Sequence, residues 1–487
     1  MNAKLRGILH KLQRALSSKR FFDVIIAFTI LQALWYASSF SPWVNDESKH
    51  FRTTELFTQQ ITPFFDSQPE SWDKAGQVAR SGSYLFYYLM SWPLRGLQTV
   101  TSDPSMQLFG LRLLMIVFFV IGLVYYRKVL LRLNDVPSAL VHVVLLAFVL
   151  TPAAGLLAGM YNYDNLAFAL FGFLLLKSVN MLYETRVRAD DVAIILITVV
   201  VLVLVKWSAL ALVAPLVVLL AYNLWRQHGK KYISRAMSSF KALRRPLQIA
   251  LLVGLLIAAI LCIERPIQNM IVYGKPNPSC DVVLSHERCM KFADYANYQR
   301  TLAAKEASFE PLSLPAYIVR FWVPKMADTS TNLIERGSSS RLDIVAALYL
   351  LGAVSSMAIL AVGWRRIWQH EGLRFLLGIS IVYVALLIVK EYGVYTEYGI
   401  PGAIRARYLV PILPIYFTAV LYVLWPLIIR YKALSATIGL IGLLLLAQGG
   451  SIVTHLFTAP ASVYSSQASR NVNQRLKSLL DPLIYDE

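Results

Sequence analysis

The chain has 487 residues, of which 57% are hydrophobic and only 15% charged; a soluble protein carries about a quarter charged residues. The deficit is concentrated in long apolar runs, which excludes an ordinary water-soluble domain and makes the bilayer the solvent for most of the chain. The formal net charge is +19. Its basic residues cluster in short loops between apolar runs, and no nucleic-acid motif accompanies them, so the charge points to membrane topology and anionic headgroups.

The amino terminus, MNAKLRGILHKLQRALSSKR, is basic. The apolar stretch after it, 22–40, lacks a small-residue cleavage site and reads as a retained first span. A polar segment, 41–107, follows as a first long loop. Inside it the run from Asn45 to Gln60 reads as a helix with mixed faces. The aromatic run Ser83 to Leu97, SYLFYYLMSWPLRGL, reads as an interfacial helix, being too short and interrupted to span. Further spans are expected at 108–126, 139–159 and 166–183. The apolar stretch 192–225 is too long for one span and divides at Lys206-Trp207 into two helices joined by a tight outer turn. A span at 247–263 precedes a second long loop, 266–341, and the last spans fall at 344–363, 375–389, 408–429 and 434–457. The expectation is an all-α polytopic membrane protein of about 11 transmembrane helices. It forms a single membrane domain over 1–487, with two long extracytoplasmic loops and a tail at 458–487.

The positive-inside rule orients it. With the amino terminus in the cytoplasm, Arg127-Lys128, Arg186 to Arg188, Arg226 to Arg245, Arg365-Arg366 and Arg430 to Lys432 all fall inside. Both long loops and the carboxy terminus then fall outside. Cys280 and Cys289, in SCDVVLSHERC, lie in the second loop. Their spacing fits no common zinc motif. In an oxidising compartment they would form a disulfide, the alternative being two free thiols.

Several residues that could carry chemistry share that outer face. Asp46 and Glu47 follow the first span in WVNDESKHF. Alone they read as a helix cap and a solvated acidic pair; the functional reading is a general base with His50 one turn away. Asp164, in GMYNYDNLAF, also suits a cap but sits in a polar, ring-rich turn with Asn162 and Asn165. Asp46 and Asp164 together could share a metal or divide base and acceptor-binding roles. Arg405 and Arg407 head a late apolar run, where they either snorkel or grip a phosphate. Lys206 and Arg112 face the same way.

These residues resemble the GT-C-type membrane glycosyltransferases, which include protein O-mannosyltransferases and lipid A aminoarabinose transferases, and are most similar to an uncharacterised bacterial group among them. Asp46, Glu47 and His50 match a DExxH-type motif in the first loop. Asn162, Asp164 and Asn165 match an N-x-D-N-type turn before the fourth span. Arg407-Tyr408-Leu409-Val410-Pro411-Ile412-Leu413-Pro414 matches a GRYLLPLLP-like run, with Ala406 in place of the glycine. The resemblance implies inverting transfer of a sugar from a polyprenyl-phosphate donor to a glycan, lipid or protein acceptor on the outer face of a bacterial inner membrane. Asp46 would be the general base, Glu47 the second choice, and Asp164 would position acceptor or metal. Arg407, Arg405 and Tyr408, and more weakly Lys206 and Arg112, would hold the lipid phosphate. The cofactor stays open between none and a divalent cation, Mg or Mn. The competing readings are a transporter or lipid flippase, which usually shows internal repeats and broken helices, and a non-catalytic envelope scaffold.

Overall fold

The computed structural model describes residues 11, 13–42, 46–64, 82–184, 188–229, 231–305, 309–331, 344–401, 404–431, 452, 455–456 and 459–484. Among them regular structure is helical, with one isolated bridge between Phe40 and Tyr464. The helices that matter here are α1 (Lys19–Ser39), α2 (Glu47–Thr58), α3 (Leu85–Val100), α4 (Pro104–Arg132), α5 (Ser138–Leu150) and α6 (Pro152–Ala158). There follow α7 (Tyr163–Tyr183), α8 (Ala189–Val205), α9 (Leu210–His228), α10 (Lys231–Lys241) and α11 (Arg245–Tyr273). The set closes with α12 (Ala293–Ala304), α13 (Val323–Thr331), α14 (Ile344–Val362), α15 (Glu371–Tyr398), α16 (Leu413–Arg430) and α17 (Gln467–Ile484).

The chain is an all-α, multi-pass membrane protein. Among the described residues seven helices are long and apolar enough to cross a bilayer, or eight if the α5–α6 pair is one span. The expected count of about eleven is not reached on this measure. Helix α8 has 17 residues, α14 runs over 19 residues of the expected span 344–363, and nearly all of the expected span 434–457 lies outside the described residues. One expectation needs correcting: 139–159 is not a straight span. Thr151-Pro152 breaks it, and α6 turns 75° away from α5, because proline lacks the N–H that would continue the helix. The short arm is wholly buried. It docks on α1 at Gly159, where a Cβ would meet the Ala33 carbonyl oxygen at 2.6 Å.

Hydrogen bonds sort the connections into two ends. At one end the Ser41 N–H donates to the Val463 carbonyl at 2.7 Å, Trp207 N–H to Ser83 Oγ at 2.9 Å, and Ala406 N–H to Thr329 Oγ1 at 2.9 Å. At the other, Arg127 Nε donates to His142 Nε2 at 3.0 Å and Ala189 N–H to Ser239 Oγ at 3.2 Å. Gln227 reaches the Leu182 carbonyl at 3.1 Å, and His370 meets the Asn134 carbonyl. Successive spans therefore run antiparallel, and the first loop, the α8–α9 turn, the arginine turn and the start of the tail share one end. The core is aromatic where α4, α5 and α7 meet: Phe168 stacks on Tyr126 at 4.6 Å and Phe119 at 5.1 Å. By contrast α11 is almost bare of protein contact on its apolar flank, as a lipid-facing helix would be.

Candidate active site

The site forms where four helix ends meet. Glu47 and Arg112 come first, because they hold the place together. The Arg112 Nε donates to Glu47 Oε1 at 2.9 Å and its Nη2 to Oε2. Its remaining hydrogens reach the carbonyls of Ala37, Phe40 and Ser41. Glu47 Oε1 also accepts the Tyr161 N–H at 2.8 Å. Both side chains are at most 4% exposed. A buried pair this fully satisfied locks the ends of α1, α2 and α4 to the loop before α7. Glu47 and Arg112, singled out as second base and phosphate ligand, are committed to each other.

Asp46 occupies the N-cap position of α2, yet its side chain makes no capping bond. The helix expected from Asn45 begins at Glu47, and Asn45 itself lies outside the described residues. The Asp46 carboxylate instead accepts from Arg407 Nη2 at 2.8 Å, across 361 residues of chain. Its side chain stays 42% exposed while that of Arg407 is 13% exposed. Burial acts to raise the Asp46 pKa, but the Arg407 charge and hydrogen bond, with help from His50 and Arg405, carry it below the ordinary carboxylate value. His50 is buried and its Nδ1 pairs with the Tyr87 hydroxyl at 2.9 Å rather than with Asp46. Burial pushes its pKa down to about 4, so the ring is neutral near pH 7.

Asp164 repeats the pattern. The cap of α7 is Asn162, whose Oδ1 accepts the Asp164 N–H at 2.8 Å. Asn165 Nδ2 donates to the Leu157 carbonyl at 2.7 Å and the Met160 carbonyl at 3.2 Å, tying α7 to the tip of α6. The two asparagines thus build the turn, and Asp164 is left to pair with Lys206 Nζ. Lys206 ends α8 at the tight turn expected there, a 3-10 turn over Trp207–Ala209. Its ammonium faces the rings of Tyr163 at 5.5 Å and Tyr408 at 5.1 Å.

Arg405 and Arg407 lie in and beside the 3-10 turn Ala406–Leu409, ahead of α16. Three other elements hold this turn. Thr329 of α13 accepts the Ala406 N–H, the Tyr383 hydroxyl of α15 donates to the Tyr408 carbonyl at 2.9 Å, and the Tyr126 hydroxyl of α4 donates to the Pro411 carbonyl. Sequence reading did not single out Thr329, Tyr383 or Tyr126. A lone tyrosine in an apolar run, as Tyr383 is, is a signal that its hydroxyl needs a partner, but not of which one.

Two recesses result, and Arg407 walls both. The first includes Asp46, His50, Tyr161, Arg405 and Arg407. The second includes Asp164, Lys206, Tyr383 and Arg407. The structure thus brings Asp46, His50, Asp164, Lys206, Arg405, Arg407 and Tyr408 to one end of the bundle. The two aspartates wall different recesses. Each is paired to a cation, and among the described residues no three His, Cys, Asp or Glu side chains gather in one cluster. Cys280 and Cys289 are joined in a disulfide in the segment between α11 and α12.

No family model matches the chain, and no curated protein matches it. Among solved structures it is similar to the archaeal oligosaccharyltransferase AglB from Archaeoglobus fulgidus, in complex with an inhibitory peptide and a dolichol-phosphate. The likeness covers 88% of this chain and 55% of that one, at 13% sequence identity and a TM-score of 0.40. The chain therefore spans little more than half the length of that protein. A likeness at that score is too loose to assign fold or chemistry.

Proposed function

We propose that the chain is a GT-C-type membrane glycosyltransferase. It moves a sugar from a polyprenyl-phosphate donor to a hydroxyl of a cell-envelope glycan, lipid or protein. The observation that carries the reading is the Asp46–Arg407 pair. A carboxylate at a helix start has given up its capping role to meet a guanidinium from the far end of the chain, and that guanidinium also walls the neighbouring recess, where a second acid–cation pair, Asp164–Lys206, lies.

The chemistry follows from the charges. The acceptor hydroxyl enters the first recess, where Asp46 takes its proton as the acceptor oxygen attacks the anomeric carbon. The bond from that carbon to the phosphate oxygen breaks, inverting the centre, and polyprenyl phosphate leaves with one more negative charge. Arg407 meets that charge as it develops, supported by Arg405 and Lys206. In the resting pair Arg407 lowers the basicity of Asp46. A phosphate drawing Arg407 away restores that basicity, so the base is released when the donor is in place. Tyr408 presents its ring to Lys206.

In this reading the end carrying the site is extracytoplasmic and the basic end cytoplasmic. The membrane is a bacterial inner membrane, the amino terminus lies inside and the carboxy terminus outside. The segments 41–107, 266–341 and 458–487 are the outer loops and tail of one domain. A carrier reading would claim the break between α5 and α6. The tip of α6, however, delivers Leu157 to the same recess as Asp46, at the end of the bundle.

The test is transfer from a labelled polyprenyl-phosphate sugar by purified protein. Wild type transfers or hydrolyses it, and Asp46→Asn loses about 10²- to 10⁴-fold in rate. Full activity in that variant sinks the mechanism, and substrate counterflow without any bond cleavage favours the carrier.

A further inference from the structure

The second recess contains two polar atoms that the transfer step leaves idle. Asp164 Oδ1 is held by Lys206, but Oδ2 is buried with no hydrogen-bond partner. Arg407 Nη2 is held by Asp46, but Nε is likewise buried without one. The Asp164 side chain is 8% exposed and that of Arg407 13%. Buried polar atoms are nearly always satisfied, and an orphan on a charged group is costly. One orphan accepts and the other donates, and both side chains wall the same recess. Their complement is a ligand carrying a hydrogen-bond donor close to an anionic oxygen. Lys206 already neutralises Asp164, so a second cation there would confront the Lys206 ammonium across one carboxylate, whereas an uncharged hydroxyl meets no such repulsion. Apolar Leu202 and Val410 complete the wall, as suits one face of a sugar ring.

We propose that this recess is the subsite for the donor's sugar, with Asp164 Oδ2 accepting from a ring hydroxyl while Arg407 Nε donates to the adjoining phosphate oxygen. The proposal rests on the transferase reading and adds to it: Asp164 reads the donor sugar, not the acceptor, and it reads a neutral one.

The experiment measures binding of bare decaprenyl phosphate and of decaprenyl-phosphate neutral hexoses and pentoses to the full-length protein in detergent. Wild type should bind at least one glycosylated donor about tenfold or more tighter than the bare phosphate. Asp164→Asn should lose about tenfold of that ratio while still binding bare phosphate, which reports that the variant is folded. A deoxy series on wild type gives a reading that needs no variant: removing one particular hydroxyl should cost about tenfold. An unchanged ratio in Asp164→Asn, or a deoxy series with no sensitive position, overturns the proposal. So does an amino-sugar donor that binds better than its neutral counterpart. Wild type that transfers sugar yet shows these failures overturns this inference alone; wild type that neither binds nor transfers from any glycosylated donor overturns both.

Discussion

Asp46 and Asp164 each stand at a helix start, where an aspartate ordinarily serves as a cap. In both places the carboxylate is elsewhere: α2 has no side-chain cap, and Asn162 caps α7. Glu47, next to Asp46, has the opposite fate, sealed against Arg112. Glu47→Gln should therefore act on stability. It strips a buried guanidinium of its counter-charge at a cost of about 3–5 kcal/mol, read as a large fall in melting temperature or as lost expression. His50 makes stability depend on pH. Its folded pKa of about 4 lies below the unfolded 6.5, so the unfolded chain binds the proton more readily. The folded state keeps its advantage above pH 6.5 and loses about 3 kcal/mol by pH 4. Melting temperatures across that range should show the decline, and His50→Gln should flatten it. The lowered pKa of Asp46 predicts, for the donor-free enzyme, no acid limb in kcat/KM above about pH 4.

At the scale of elements, the site depends on two departures from straight helices. The break at Thr151-Pro152 sends α6 sideways under the end of α1, which brings Leu157, Met160 and Tyr161 to the first recess. The contact at Gly159 tolerates no side chain. Gly159→Ala should push the loop off Ala33 and Tyr36, destabilise by about 1–3 kcal/mol, and lower activity more than a surface substitution of equal stability cost. The second departure is the 3-10 turn that carries Arg407, held by Thr329, Tyr383 and Tyr126. Removing one such hydroxyl, as in Tyr383→Phe, should cost about 1 kcal/mol. Its signature should be a raised KM for the donor, since the loosened turn is the one that meets the phosphate.

Across the whole molecule, the bridge from Phe40 to Tyr464 joins the start of the first loop to the carboxy-terminal tail. Residues 41 and 463 therefore lie on the same side of the membrane. With Cys262 replaced by serine, single cysteines at Glu55 and Ser478 should be labelled by an impermeant reagent from one side, and one at Ser238 of α10 from the other. Labelling of Glu55→Cys and Ser478→Cys from opposite sides would break the arrangement. The side that labels the first two also tests the placement of the site in the envelope, and bears on the disulfide Cys280–Cys289 in the segment between α11 and α12.

The apolar runs, their spacing and the placement of arginines and lysines were enough to determine a helical, multi-pass chain with alternating direction, since hydrophobic length and interfacial charge act locally along the sequence. The same local signals nominated Asp46, Asp164, Lys206 and Arg407 for one end of the bundle. They did not distinguish Asp46 from Glu47, because adjacent carboxylates look alike until their partners are known. Only the tertiary structure decided that Glu47 goes to Arg112 and Asp46 to Arg407, and that Asp164 meets Lys206. It also decided that a proline break, not a straight span, shapes the floor of the site. Each of these is a pairing across long stretches of chain, set by which helix ends meet, and helical periodicity carries no information about partners that far apart.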